Sequence, residues 1–356
     1  MKEAIKKGLP ECEVKGIPVA DGGEGTVDCF LLATAAEKKE VETTGPYGEP
    51  VTAYYALDRA NGRAILEMAQ VAGLPQVEDN PNPRKTTTFG LGKLIEDALE
   101  TGCREIVIGL GGSCTNDGGM GMARALGVQF FDENGQVFAP DADEMTRISH
   151  IDSSKAAEKL QGVHIIAMCD ITNPMYGPKG AAYVFGPQKG ADPETVKELD
   201  DNLCALATVI ESDLGVSVAD FPGAGAAGAL GAGIVAFLGG ELKSGIETVL
   251  DIVEFDRELD GAQLVFTGEG QVDSQSVDGK VISGIAKRAV KKNVPCIVVA
   301  GSVAPGAEAA YDTGVCSLFS INRMAMDFSE SRAYSDRNLA DTMEAIVRLA
   351  KAVSPG

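Results

Sequence analysis

The chain has 356 residues, 44% of them hydrophobic, with 43 glycines, no tryptophan and a formal net charge of −21 at pH 7. That length suits two domains better than one core, and the acidic balance argues against nucleic acid or an anionic membrane as a partner, since both need a basic surface. Apolar runs are broken by glycine or charge before the roughly 20 residues that a membrane span requires.

Met1–Gly8 lacks the apolar stretch of a secretion signal, so cytoplasm is the expected compartment. The eight cysteines are scattered without a C-x-x-C pair and read as buried free thiols in a reducing environment. His150 and His164 are the two histidines, which argues against a Ser-His-Asp triad and a zinc site built on several histidines. His164 itself reads as a strand residue.

Along the chain, Gly16–Ala20 reads as a short strand that opens into A-D-G-G-E-G-T and a helix to about residue 37. From Val41 to Met68 strands are joined by turns at Gly45-Pro-Tyr-Gly48 and Asn61-Gly62, the second a good hairpin signal. Thr86-Thr-Thr-Phe89 opens a helix to about Thr101. Next comes the strand Glu105–Ile108, then a loop with glycine at 109, 111, 112, 118, 119 and 121, then a helix from near Met120. Val128–Phe138 is a second hairpin around Asn134-Gly135. After the strand His164–Met168 lies a long polar loop, 169–190. Asp192-Pro193 then caps a helix whose Val196, Leu199, Leu203, Leu206 and Ile210 share one core-facing stripe. Strands at about 263–266, 295–300 and 316–321 alternate with helices, one of them near 279–292. This alternation marks a parallel, doubly wound α/β sheet. Residues 1–40, 84–126 and 256–356 are therefore expected to form a Rossmann-like domain, into which 41–83 and 127–255 insert a mixed α/β domain.

Three acidic glycine loops stand where strands end: Asp21 and Glu24, Asp117, and Glu269 with Asp273. Open α/β sheets bind ligands at that edge. The plainer alternative for Asp21 and Glu24 is a tight turn whose acids cap the next helix. A strand running into glycines and a helix brings backbone amides toward an anion, yet Asp117 in the same loop repels one. A divalent cation between Asp117 and a phosphate reconciles the two and points to phosphoryl transfer. Glu269 and Asp273 are oxygen ligands of the type magnesium takes. Lys189 and Lys280 either meet phosphate or carboxylate, or are solvated lysines beside helix starts. Gly223, Gly225 and Gly228 spell G-x-G-x-x-G, but Pro222 and the polar Asp220 spoil the strand that a dinucleotide fingerprint needs. A small-residue helix in close packing is the better reading. No P-loop sequence and no protein-kinase motif set is present.

These motifs resemble the type I glycerate kinase family along essentially the whole chain. The matching runs are P-V-A-D-G-G-E-G-T (18–26), G-L-G-G-S-C-T-N-D-G-G (109–119), N-P-M-Y-G-P-K-G-A (173–181), V-F-G-P-Q-K-G-A (184–191), G-A-G-A-A-G-A-L-G (223–231) and T-G-E-G-Q-V-D-S-Q-S (267–276). The resemblance implies ATP- and Mg²⁺-dependent phosphorylation of D-glycerate, typically to 2-phosphoglycerate, feeding glyoxylate, serine or sugar-acid carbon into glycolysis. It also implies a Rossmann-like parallel domain with a second α/β domain inserted and the active site in the cleft between them. Members usually begin with a strand and a D-S-F-K-G-type loop. This sequence starts inside the helix that follows, so the first parallel strand is expected to be missing and the chain to be less stable and less active than one extended upstream.

On this reading Asp117, Glu269 and Asp273 position Mg²⁺ and the triphosphate. Gly111, Gly112, Ser113, Thr115, Asn116, Gly268 and Gly270 cradle the nucleotide, and Glu24, Asn173 and Gln188 contact the substrate. Asp21 or Asp170 orients or deprotonates a glycerate hydroxyl, and Lys189 or Lys280 stabilises the moving phosphoryl group. Replacing Asp117 by alanine is expected to cut turnover without unfolding the protein. The expected partners are D-glycerate and ATP, with the chain a monomer or homodimer. The rival readings are an NAD-dependent oxidoreductase using the 223–228 loop and a catalytically disabled sugar-acid-binding relative.

Overall fold

The computed structural model describes residues 1–273, 281–324 and 327–353. The chain divides into two compact units: Val19–Thr248, and Met1–Pro18 together with Val249–Gly356.

The unit Val19–Thr248 is built on a six-stranded mixed sheet. Glu37–Thr44, Pro50–Asp58 and Arg63–Glu67 form an antiparallel meander. Asp58 sets the second turn by accepting from the Asn61 amide at 3.2 Å and its Nδ2 at 2.7 Å. Gly62 takes φ 62 there, a conformation that favours glycine. The sheet continues in parallel through Glu105–Gly109, His164–Met168 and Glu241–Lys243. Glu67, Gly109 and Met168 lie in register, so the loops that leave these strands emerge at one edge. Ile106, Ile108, Leu66 and Ala167 are buried, as expected of strands covered on both faces. The helix Pro193–Leu214 starts where the sequence placed it: Asp192 accepts from the Thr195 amide at 2.8 Å, and the apolar stripe from Val196 to Ile210 is buried. Gln129–Phe131 pairs antiparallel with Val137–Phe138, around a turn held by Asp132, and with His150–Asp152.

The other unit carries a parallel sheet in the order Val265–Thr267, Cys296–Ala300, Val315–Ser320. A short parallel pair, Gln271–Val272 with Ser302–Val303, lies beyond it. The helices Lys2–Gly8 and Ser335–Val353 bury Ala4, Ile5, Met343, Ile346 and Val347 against Val299. Arg288, only 8% exposed, bonds to Asp251 at 2.6 Å and Asp256 at 3.5 Å.

The α/β class with parallel and mixed sheets is as read from the sequence. Three details differ. Glu105–Gly109 hydrogen-bonds to Arg63–Glu67 and His164–Met168, whereas the sequence grouping joined 84–126 to 256–356. Strand–helix alternation shows that strands are parallel but not which sheet each one joins, and pairing decides that. Gly16–Ala20 is not a strand; Pro18 lacks the N–H a ladder needs. The first helix of the larger unit, Thr26–Ala33, is shorter than expected, because a strand already begins at Glu37.

Candidate active site

The loops at the shared edge of the six-stranded sheet are tied together by backbone contacts. The 110–117 loop is pinned on one side by Leu74, whose amide donates to Gly112 O at 2.9 Å, and by the Cys114 amide, which donates to Ala72 O at 2.9 Å. On the other side the Gly111 amide donates to Gly22 O at 3.0 Å. A Cβ on Gly111 would stand 2.6 Å from Gly23 Cα, so the two glycine loops touch backbone to backbone where no larger residue fits. Glu67, 1% exposed, anchors the Asp21 loop from below, accepting from Gly25 N at 3.3 Å and from Val27 N. Those donors open the helix Thr26–Ala33, so the glutamate sits at its positive end.

Between these loops lies a cavity of about 270 Å³. Its polar lining is Asp21, Ser113, Asp170, Gln188 and Lys189, with the backbones of Gly22, Gly23, Gly111 and Gly112. Leu74, Leu110, Met168, Ile171 and Phe185 complete the wall. Asp170 follows the strand His164–Met168, and its Oδ1 accepts the Gly245 amide at 2.9 Å, at the start of the helix Gly245–Ile252. A Cβ on Gly245 would stand 1.9 Å from Asp21 O and 2.9 Å from Asp170 Oδ2, so both acidic residues pack on this glycine. Burial pushes the Asp170 carboxyl above the usual carboxylate range, the Gly245 amide pulls it back and the charge of Asp21 adds to the rise. Such a raised carboxyl in a cavity is a candidate proton acceptor.

Lys189 ends the short 3-10 turn Pro187–Lys189 and is 2% exposed. Its Nζ donates to Thr115 O at 2.6 Å and to Ser113 Oγ at 3.1 Å. Burial pulls its ammonium down to about 8, against the opposing pull of Cys114 and Asp117.

The structure gives Asp117 another post. It is 2% exposed and does not line the cavity. Its Oδ2 accepts from Thr88 N at 2.8 Å, Thr88 Oγ1 at 2.9 Å, Gly121 N at 3.2 Å and Thr87 Oγ1 at 3.3 Å, and its Oδ1 from Gly119 N at 3.1 Å. The carboxylate thus caps the starts of two helices, Phe89–Glu100 and Met120–Ala125. Burial raises its carboxyl while these donors pull it back. With that many donors on it, it has little left to offer a cation.

The other expected residues divide in the same way. Thr115 serves through its carbonyl, which holds Lys189. Asn116 is wholly buried with neither amide atom partnered among the described residues. Asn173 closes its own loop by donating to Lys179 O at 2.8 Å, and Glu24 is exposed outside the cavity lining. The Gly111 amide, expected on phosphate, is spent on Gly22 O. Gly268, Glu269, Gly270 and Asp273 belong to the other unit. There the Gly301 and Ser302 amides donate to Glu269 O and Gly270 O at 3.1 and 3.0 Å, and Glu269 Oε1 is buried without a partner among the described residues. Lys280 lies outside the described residues. Sequence reading missed Glu67, Gly245 and the apolar wall; an acid closing a buried strand was the available signal for Glu67.

The G-x-G-x-x-G segment has no strand before it. Instead Ala227, Gly228 and Ala229 take φ 53, 68 and 66, and a Cβ on Gly228 would be 1.9 Å from Thr115 O. These glycines let the segment press on the 113–118 loop. Among the described residues no group of three or more His, Cys, Asp or Glu could hold a metal. Two carboxylates in one cavity still fit magnesium, which binds through one or two carboxylates and keeps several waters. Asp21 and Asp170 are that pair.

The sequence profile of the glycerate kinase family matches residues 1–351. A glycerate kinase of Halalkalibacterium halodurans is 44% identical over 338 residues, covering 94% of this chain and 89% of its own length. One from Bacillus cereus is 42% identical, covering 99% and 94%, and a glycerate 2-kinase of Escherichia coli is 43% identical, covering 90% and 85%. A crystal structure assigned as glycerate kinase 2, from Salmonella typhimurium, superposes with a TM-score of 0.87 at 40% identity over 99% of this chain and 92% of that one. The chain belongs to the glycerate kinase family.

Proposed function

We propose that the chain transfers the terminal phosphoryl group of ATP to D-glycerate, giving 2-phosphoglycerate, with Mg²⁺ as the metal. As a member of its family the chain is an enzyme, a phosphotransferase. The observation that carries the reading is the cavity, which sets a buried ammonium and two carboxylates around a space smaller than the roughly 300–1,000 Å³ of drug-sized sites. That charge pattern suits a small hydroxy acid.

In the proposed mechanism Asp170 accepts a hydrogen bond from the substrate hydroxyl and takes its proton as the oxygen attacks phosphorus. Phosphoryl transfer needs little beyond positioning and charge stabilisation, so a base held by Gly245 N–H and poised above the ordinary carboxylate range is suited to the task. Asp21 would hold magnesium, which binds through one or two carboxylates and keeps several waters, leaving Asp170 free as the base; the metal would neutralise phosphate charge when bound. Gly268, Glu269, Gly270 and Asp273 remain the candidates for the nucleotide; they follow a parallel strand, where open α/β sheets bind ligands. No helix of the described residues is long and apolar enough to cross a membrane, in keeping with soluble small-molecule substrates.

A coupled ADP-release assay with D-glycerate, followed by NMR of the product, tests this. Saturable ADP release with phosphorus on the C2 oxygen supports it, and phosphorus on C3 overturns the regiochemistry. Glycerate binding without ADP release would favour the disabled sugar-acid-binding alternative.

A further inference from the structure

We propose that Lys189 is the anchor for the substrate carboxylate, its missing counter-charge being supplied by the ligand, so that the hydroxyls of glycerate are turned toward Asp170 and Asp21. This rests on the function proposed above and goes beyond it by fixing which end of the acid meets which residue. The hydrogen bonds made by Lys189 carry the argument. An ammonium has three N–H donors and no acceptor. Two are taken, by Thr115 O at 2.6 Å and Ser113 Oγ at 3.1 Å. Lys189 lines the cavity, which leaves the third hydrogen for an occupant.

Both protein partners are neutral, and among the described residues no carboxylate lies within ion-pair distance of Nζ. The charged groups around it are few. Asp117 faces it from its own loop with its oxygens already engaged by five donors. Cys114, pushed up to about 12 by burial, is neutral in the working range. Asp21 and Asp170 line the same cavity without bonding Lys189. A cation this buried and lacking a partner acid is costly, and an anion entering the cavity removes that cost.

A carboxylate suits the place better than the transferring phosphoryl group. One free N–H makes one charge-assisted bond, which a carboxylate oxygen satisfies. A phosphoryl group spreads its charge over three equatorial oxygens and calls for several donors at once, and here the Gly111 amide is already spent on Gly22 O. The wall of Leu74, Leu110 and Phe185 is apolar, which lowers the local polarity and strengthens the single ionic contact.

Proton linkage gives the test a readout other than activity. In the free protein burial lowers the Lys189 ammonium to about 8, so it is half-deprotonated there; a bound carboxylate favours the charged form and raises that value. Binding of D-glycerate is therefore nearly proton-neutral at pH 7 and takes up a proton fraction near pH 9, and affinity falls as pH rises past 8.

Isothermal titration calorimetry of the full chain with D-glycerate, without nucleotide, in two buffers of different ionisation enthalpy at pH 7 and pH 9 measures this directly. The wild type is expected to show uptake at pH 9 only. Lys189→Met is expected to lose the uptake, bind D-glycerate about 30-fold or more weakly, and stay folded, since an apolar chain replaces an unpaired charge. Glyceramide, which keeps the hydroxyls and lacks the charge, should bind wild type and Lys189→Met alike. Unchanged D-glycerate affinity in folded Lys189→Met, or no uptake by wild type at pH 9, overturns the assignment. If instead D-glycerate fails to bind wild type while another small carboxylate binds with Lys189-dependent uptake, the proposed substrate is wrong and the anchor stands.

Discussion

Asp117→Ala separates a structural from a catalytic role for the acid that dominates the glycine loop. The substitution removes the acceptor of three backbone amides, Thr88 N, Gly119 N and Gly121 N, and of the Thr87 and Thr88 hydroxyls. The hydroxyls can turn to other acceptors, but the amides are fixed by the helices they open and lie in a buried setting. An unsatisfied buried donor costs about 1–3 kcal/mol. Three of them at the low end give a loss of about 3 kcal/mol. At about 2–4 °C per kcal/mol for a unit of this size, melting should fall by roughly 6–12 °C. The assay is thermal unfolding by circular dichroism, run alongside turnover at a temperature where the variant is still folded. A melting temperature within 2–3 °C of wild type together with a large loss of kcat would refute the capping role and restore the catalytic one.

Three further outcomes follow from the same geometry. Asp170→Asn keeps an acceptor for Gly245 N–H but cannot take a proton, so kcat should drop by about 10²–10⁴-fold with melting unchanged. Because a base works deprotonated and burial raises Asp170, wild-type activity should be lost as pH falls through a value above the ordinary carboxylate range; an acid limb that persists in the folded asparagine variant would point to another group. Gly228→Ala drives a Cβ to 1.9 Å from Thr115 O, the acceptor of Lys189, so it should lower both stability and D-glycerate affinity; wild-type affinity in that variant would show that the loop yields without disturbing the lysine. Ala227→Gly relieves a left-handed alanine at φ 53 that is only partly buried and should raise stability by about 0.5–1 kcal/mol in urea unfolding, a loss being contrary to the strain argument.

Much of the fold was legible because it depends on local periodicity. The hairpin turns at Asn61-Gly62 and Asn134-Gly135 need a residue free to take positive φ, and the capped helix after Asp192 needs an oxygen for the Thr195 amide. Such needs are met by residues a few positions apart, so the sequence displays them. Of the candidate site residues, Asp21, Ser113, Asp170, Gln188 and Lys189 line one cavity, since loops after strands in a common register open at one edge.

What the sequence could not decide was the use of each carboxylate. Asp21, Glu67, Asp117 and Asp170 are all acids beside glycines or strand ends, and nothing local separates them. The difference lies in donors contributed from afar: Thr87 and Thr88 engage Asp117, Gly25 and Val27 engage Glu67, and Gly245 holds one oxygen of Asp170. Likewise, alternating strands and helices determined by themselves that the chain is α/β. Hydrogen bonding between Glu105–Gly109 and its two neighbours decided which sheet that strand joined, because pairing is a long-range choice made when apolar faces and backbone donors are satisfied together.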